Sequence, residues 1–334
     1  MSGKRLFAGS QSERQRLLLD AEQMILPRHS VGLCGLGVCV HAALQSAGLT
    51  VAYSPLMGLF NAAFMLQVDE YFSLAAAVDG RWTRVDQTLA ELGFGAARLL
   101  DAPVADDLVQ AELTAGRAVC AFGWGDAVAD WSLICGLSDD GLEWWGYEFC
   151  SEPVLVSATA ECRMLLAIGE MSGEPNFAGA EHGAIVAAGQ LSASPTGPVA
   201  AYLEWAELMR RDRPFPDGPA GDEMIGRHEW LTHVLLDARA AAVAFLEEVA
   251  ERAEPPVAAD LLQAADFYRR SLESLEARQP HLYDPMIAAG MRDGDVRADW
   301  AELLETAAGL ETEALRLVGR SARGGALDYW QEDA

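Results

Sequence analysis

One cysteine in a glycine-rich setting carries the clearest chemistry in this chain. Gly32-Leu33-Cys34-Gly35-Leu36-Gly37 leads into an apolar stretch that runs to Ala47 and stops at Gly48, so Cys34 stands at the start of a helix. A helix N-terminus offers unpaired N–H groups and partial positive charge. Both lower a thiol's pKa, and the same N–H groups can hold an oxyanion. Cys34 is therefore a candidate nucleophile. The competing reading is a small apolar residue packed in a core.

A cysteine nucleophile needs a partner that moves protons. His29 precedes Cys34 in the same loop and is the best-placed histidine. His41 lies two turns down the Cys34 helix, about 11 Å away and out of contact. Asp130 would act as a base if burial raised its pKa, although a carboxylate beside a thiolate opposes nucleophilicity. His228-Glu229-Trp230-Leu231-Thr232-His233 superficially looks like a zinc-protease helix. That motif needs histidines four apart; five apart turns them about 140° from each other. His233 stays a candidate for a cleft. Cys34 and Cys39 are also about 140° apart and make a poor metal pair. There is no Cys-x-x-Cys pair, dinucleotide fingerprint, Walker loop or Gly-x-Ser-x-Gly elbow. No metal and no cofactor is expected.

The elements around these residues are read from periodicity and turn signals. Glu13 to Ile25 reads as a helix ended by Pro27. Tyr53 to Val68 reads as a turn with a short helix, Phe72 to Val78 as a strand, and Val85 to Leu92 as a helix stopped by Gly93. Ala96 to Leu100 reads as a strand, and Asp106 to Ala115 as a helix before Gly116. Strands follow at Ala118 to Phe122, Trp131 to Leu137 and Leu142 to Phe149, the last two joined as a hairpin by Asp139-Asp140-Gly141, with a further strand at Leu165 to Gly169. Trp124, Trp131, Trp144 and Trp145 crowd the hairpin as core, interface or stacking wall. Beyond Gly169 to Pro175 nearly everything reads as helix: Gly179 to Leu191, Pro198 to Arg210, Met224 to Arg252, Ala258 to Arg278 and Asp299 to Val318. The stripes Val234, Ala238, Ala241, Phe245, Val249 and Leu261, Ala265, Tyr268, Leu272, Leu275 have helical spacing. The expected organisation is an α+β domain over 1–172, an all-α domain over 173–323 and a tail over 324–334.

The order of these pieces resembles a known pattern. A Cys-led helix is followed by Gly116-Arg117-Ala118-Val119 entering a strand. Then comes Asp130-Trp131-Ser132-Leu133-Ile134-Cys135-Gly136-Leu137-Ser138-Asp139-Asp140-Gly141. This resembles the C39-like branch of papain-fold cysteine peptidases and the N-terminal domain of the butirosin-biosynthesis H acyltransferases. Ser54-Pro55-Leu56-Met57-Gly58-Leu59 is similar to the loop after the Cys-led helix in the latter. The resemblance covers roughly Pro27 to Tyr147. It implies a papain-like domain, with the Cys-bearing helix packed on an antiparallel sheet. It also implies a Cys nucleophile, a His base and an acid or amide that orients the His. Carried over by position, the nucleophile is Cys34 and the base falls on Asp130 or Trp131. The oxyanion glutamine falls near Arg28 or His29, and the orienting acid near Tyr147 or Glu148. Arg28, Trp131, Glu148 and His233 enter as substrate-binding candidates. The departure is the missing histidine at the base position. Gly197 to Ala206, with Asp237-Ala238-Arg239 and Phe245-Leu246, is similar to the helical region that follows the acyltransferase domain. That implies helices flanking the core, with Trp205 and His233 selecting substrate.

Composition bounds the rest. The 334 residues carry 24 basic and 50 acidic side chains, a formal charge of -26, and Lys4 is the single lysine. Such a field repels phosphate backbones and disfavours a nucleic-acid partner. No apolar run has the length of a membrane span, and the polar start lacks the apolar centre of a secretory signal, so a cytoplasmic protein without a membrane partner is expected. A homodimer is compatible with the sequence. The functional expectation is cysteine-dependent acyl or amide transfer, or hydrolysis, through a Cys34 thioester. The substrate would be a small molecule or a carrier-bound acyl group, in a biosynthetic pathway. The alternative is a degenerate papain-like fold that binds a ligand or protein in the old cleft. Thiol or metal sensing through Cys34 and Cys39 is a third option.

Overall fold

The computed structural model describes residues 33–72, 84–95, 98–101, 106–124, 131–137, 143–149, 153–159, 162–212, 214–282 and 284–323. They fall into two compact units. One is drawn from Met1–Tyr53 and Leu92–Pro175, the other from Ser54–Glu91 and Asn176–Ala334. The change of pattern read at 172/173 thus lies beside the division at Pro175/Asn176, while the stretch from Ser54 to Glu91 groups with the helices. The expected helix at 13–25, the turn at 139–141 and the tail from 324 lie outside the described residues.

The first unit is α+β. Helix α1 spans Gly35–Ser46 and ends before Gly48, whose φ of +91° suits a residue without a Cβ. Six strands form one antiparallel sheet: β1 Arg98–Asp101, β2 Val119–Phe122, β3 Trp131–Leu137, β4 Glu143–Phe149, β5 Pro153–Thr159 and β6 Met164–Ala167, in the order β1-β6-β2-β3-β4-β5. Strand β2 is buried at all four positions, as a central strand covered on both faces must be. Val119 and Ala121 share a core with Val109, Trp124, Ile134, Trp144, Leu165 and Ala167. Val109 comes from the helix over Asp106–Thr114, which packs on β2, β3 and β6. Helix α1 packs on β2 and β3, and Ser46 Oγ accepts from Ala118 N–H at 2.9 Å, tying the end of α1 to the start of β2. Trp124, Trp131 and Trp144 are core residues. The register shifts between Ile134 and Gly136, and Trp131 through Gly136 are all buried, as expected of a strand covered on both faces.

The second unit is helical. Helix α2 spans Tyr53–Leu59, opening on the last residue of the first unit, and a 3-10 turn follows at Ala62–Phe64. Helix α3 is Val85–Glu91. With the helix at 106–114 as α4, the rest are α5 Phe177–Leu191, α6 Pro198–Met209, α7 Pro219–Arg252, α8 Pro255–Arg278, α9 Pro285–Gly290 and α10 Gly294–Arg323. Helix α10 packs on α5, α6 and α8, and α8 packs on α7. Phe72, expected to open a strand, instead has a φ of +47° and buries its ring in the helical core; the remainder of that expected strand lies outside the described residues. Helices α7, α8 and α10 start several residues earlier than periodicity suggests. Each opens on a proline or glycine, residues that a helix tolerates in its first turn or just before it.

At the meeting of α6, α7, α8 and α10 lies a fully buried ion pair. Arg239 Nη2 is 2.6 Å from Glu311 Oε1, and Arg239 Nη1 donates to the carbonyls of Ala63 at 2.8 Å and Met65 at 3.1 Å. The guanidinium also lies over the Tyr202 and Tyr268 rings. Burial raises the Glu311 pKa, and the adjacent Arg239 opposes that rise. No described helix is long and apolar enough to cross a membrane.

Candidate functional site

Cys34 occupies the N-cap position of α1, with φ −76° and ψ 104°. Its backbone is extended there, while its carbonyl already accepts the first helical bond from Val38 N–H at 2.9 Å. The cap makes no side-chain hydrogen bond to the first turn, and no acidic residue in that turn offsets the positive end. Gly35 and Gly37 put no side chain over the first-turn amides. Cys34 is buried, with 8% of the residue exposed.

The Cys34 backbone N–H donates to Tyr53 Oη at 3.3 Å, a contact between residues 19 apart in sequence. Tyr53 is itself buried. The phenol oxygen therefore takes up the Cys34 backbone amide. No local signal marks Tyr53 in the sequence. It reaches Cys34 because the chain of the first unit returns at Tyr53 to the start of α1.

His41 is buried on α1, with Nε2 3.5 Å from Gln45 Nε2. Burial lowers its pKa, the Val51 backbone pulling less strongly the other way. Seven residues of helix separate it from Cys34, so it is no direct base. Trp131 opens β3, the strand on which α1 packs, and its ring centroid is 5.5 Å from that of Phe122. Glu148 lies on β4 opposite Ser132. Arg28, His29 and Asp130 lie outside the described residues. His233 belongs to α7 in the second unit, where burial lowers its pKa and the His281 backbone opposes.

The remaining candidates separate clearly. His228 is fully buried, accepts from Trp205 Nε1–H at 3.2 Å through Nδ1, and has its pKa pushed down to about 3 by burial. His233 is only half-buried, so the two histidines present different faces, as their spacing predicts. Among the described residues no group of three or more His, Cys, Asp and Glu side chains could hold a metal ion. Burial drives the Cys120 thiol far up and the Cys135 thiol to about 12, which keeps both protonated and unreactive. Cys39 is fully buried on α1. Cys34 is the described cysteine that combines a helix N-terminus with residual exposure.

No family model matches the chain, and no curated protein matches it in sequence.

Proposed function

We propose that this protein carries out cysteine-dependent acyl or amide chemistry on a small-molecule or carrier-bound acyl substrate. The carrying observation is Cys34 at the N-cap of α1, above first-turn amides that no acidic side chain offsets. Cys34 Sγ attacks the acyl carbon, the bond to the leaving alcohol, amine or carrier thiol breaks, and the leaving group takes a proton. Water or an acceptor nucleophile then cleaves the thioester and regenerates the thiol. First-turn amides of α1 hold the oxyanion in both steps. His29, and less favourably Asp130, is the sequence candidate for moving the protons. The packing of α1 on β2 and β3 of an antiparallel sheet supports the papain-like reading behind this mechanism.

One observation favours a second reading. Trp131 stands where the resemblance places a base, and its ring is buried against Phe122. A papain-like domain without its histidine would bind rather than turn over. Iodoacetamide near neutral pH separates the two. Fast alkylation of Cys34, several-fold above a model thiol, together with an acyl adduct from an activated ester that Cys34→Ser removes, is the expected result. A rate no faster than the model thiol, with no adduct, leaves the binding reading.

A further inference from the structure

Helix α7 and the end of α8 meet through a buried acid and a buried amide that the chemistry at Cys34 does not use. Glu229 lies on α7 and is 2% exposed. Gln279 caps the C-terminus of α8 and is completely buried, its backbone N–H bonded to the Leu275 carbonyl at 2.9 Å. Gln279 Nε2 donates to Glu229 Oε1 at 3.3 Å and to the His281 carbonyl at 2.8 Å. These two contacts fix the orientation of the amide, because a reversed amide would set its oxygen against two other oxygens. Gln279 Oε1 is then buried with no donor among the described residues.

Two features of the pair point to a proton. Glu229 forms no ion pair with a described residue, and the charged group that acts on it, Asp284, is itself acidic. A carboxylate sealed from water without a cation is costly, and such a group takes up a proton instead. Burial accordingly raises the Glu229 pKa; the Gln279 N–H works against that rise, and Asp284 adds to it. The second feature is the orphan acceptor. A carboxylate has nothing to give Gln279 Oε1, whereas a carboxylic acid has an O–H. Oε1 and Nε2 share one carbon, so the acceptor lacking a donor sits on the group that already touches the carboxyl. His233 stands one turn further along α7, where burial disfavours its charged form and His281 and Glu276 act on it. Arg278, beside Gln279, turns to Asp299 on α10.

We propose that Glu229 and Gln279 form a proton-operated clasp between α7 and the end of α8. With its proton, Glu229 gives a hydrogen bond to Gln279 Oε1 and receives one from Nε2, so the helix end is held at two points. Without it, one bond is gone and a charge is sealed in, and the last turn of α8 opens more readily. The closed clasp binds a proton that the opened one releases. It therefore tightens as the pH falls through the raised Glu229 pKa and is at full strength below the usual 4.5. His233 acts in the opposite sense, and comparing variants at one pH removes its contribution.

Glu229→Gln supplies an amide that donates and accepts as the protonated acid does, at every pH. The readout is hydrogen–deuterium exchange of the last turn of α8 in the full-length protein, with α10 amides as the reference. At pH 7.5 the variant should exchange several-fold more slowly there than wild type, and the gap should close toward pH 4.5. In a Gln279→Leu background the same substitution should lose most of its effect. Carbon-13 titration of the Glu229 carboxyl in wild type reads the proton without any variant, and its midpoint should lie above 4.5. Exchange in Glu229→Gln as fast as wild type or faster at pH 7.5, a gap that ignores pH, an undiminished effect without Gln279, or a carboxyl midpoint at or below 4.5 would each overturn the proposal.

Discussion

His228 shows what a single buried titratable group does to the whole chain. Its folded pKa is pushed down to about 3 from the usual 6.5, because burial penalises the imidazolium. The unfolded chain therefore binds a proton below pH 6.5 that the folded chain refuses. Stability from this group is complete above pH 6.5 and declines as the pH falls toward 3, by about 2 kcal/mol between pH 6.5 and 5. Urea midpoints at pH 7.5 and 5 should show that loss in wild type and a much smaller one in His228→Phe. A wild-type midpoint indifferent to this pH change would contradict the buried neutral imidazole. The sequence revealed half of this. The five-residue spacing separated His228 from His233, but nothing in it said which histidine would be sealed. That depends on Trp205 and Trp300, which come from two other helices. Tyr53 was hidden for the same reason, being brought to Cys34 by a fold-back of 19 residues.

Helices α5 and α10 cross at a pair of glycines. A Cβ on Gly189 would stand 2.6 Å from Gly319 Cα and 3.0 Å from its nitrogen, and backbone has nowhere to retreat. Gly189→Ala should therefore cost about 1–3 kcal/mol through overpacking. Gly309 on the same α10 has open space where its Cβ would go, and Gly309→Ala should gain up to about 1 kcal/mol from helix propensity. Denaturant midpoints for the two variants should move in opposite directions; movement in the same direction would refute the glycine crossing. Long helices were the most legible elements, because stripes such as Leu261, Ala265, Tyr268 and Leu275 repeat a periodic signal over many turns. Strand β5 was missed, although Val154-Leu155-Val156 is a strand-forming run. Helix α9 was missed because six residues carry too little periodicity, even with Asp284 as its cap. Phe72 defied its pattern because tertiary packing outweighed β propensity.

At the scale of the molecule the excess of acid dominates. The charge of -26 means that repulsion outweighs the exposed ion pairs, of which Arg210–Glu305 and Arg211–Glu207 are examples worth little individually. Raising NaCl from 10 mM to 500 mM shortens the screening length from about 30 Å to about 4 Å. The melting temperature should rise accordingly, and a fall would show that the ion pairs outweigh the repulsion. Core burial has a practical effect at this scale too. With the sulfurs of Cys120 and Cys135 locked in their protonated forms, they are silent spectators in any alkylation near neutral pH. Cys162, half-buried beside the sheet, is an internal clock within the same polypeptide. Cys162 shares the tryptic peptide 118–163 with Cys120, Cys135 and Cys150, so fragment ions that locate each alkylated sulfur let the speed of Cys34 be measured against it, and the native chain supplies its own reference for whether the helix terminus has sharpened that thiol.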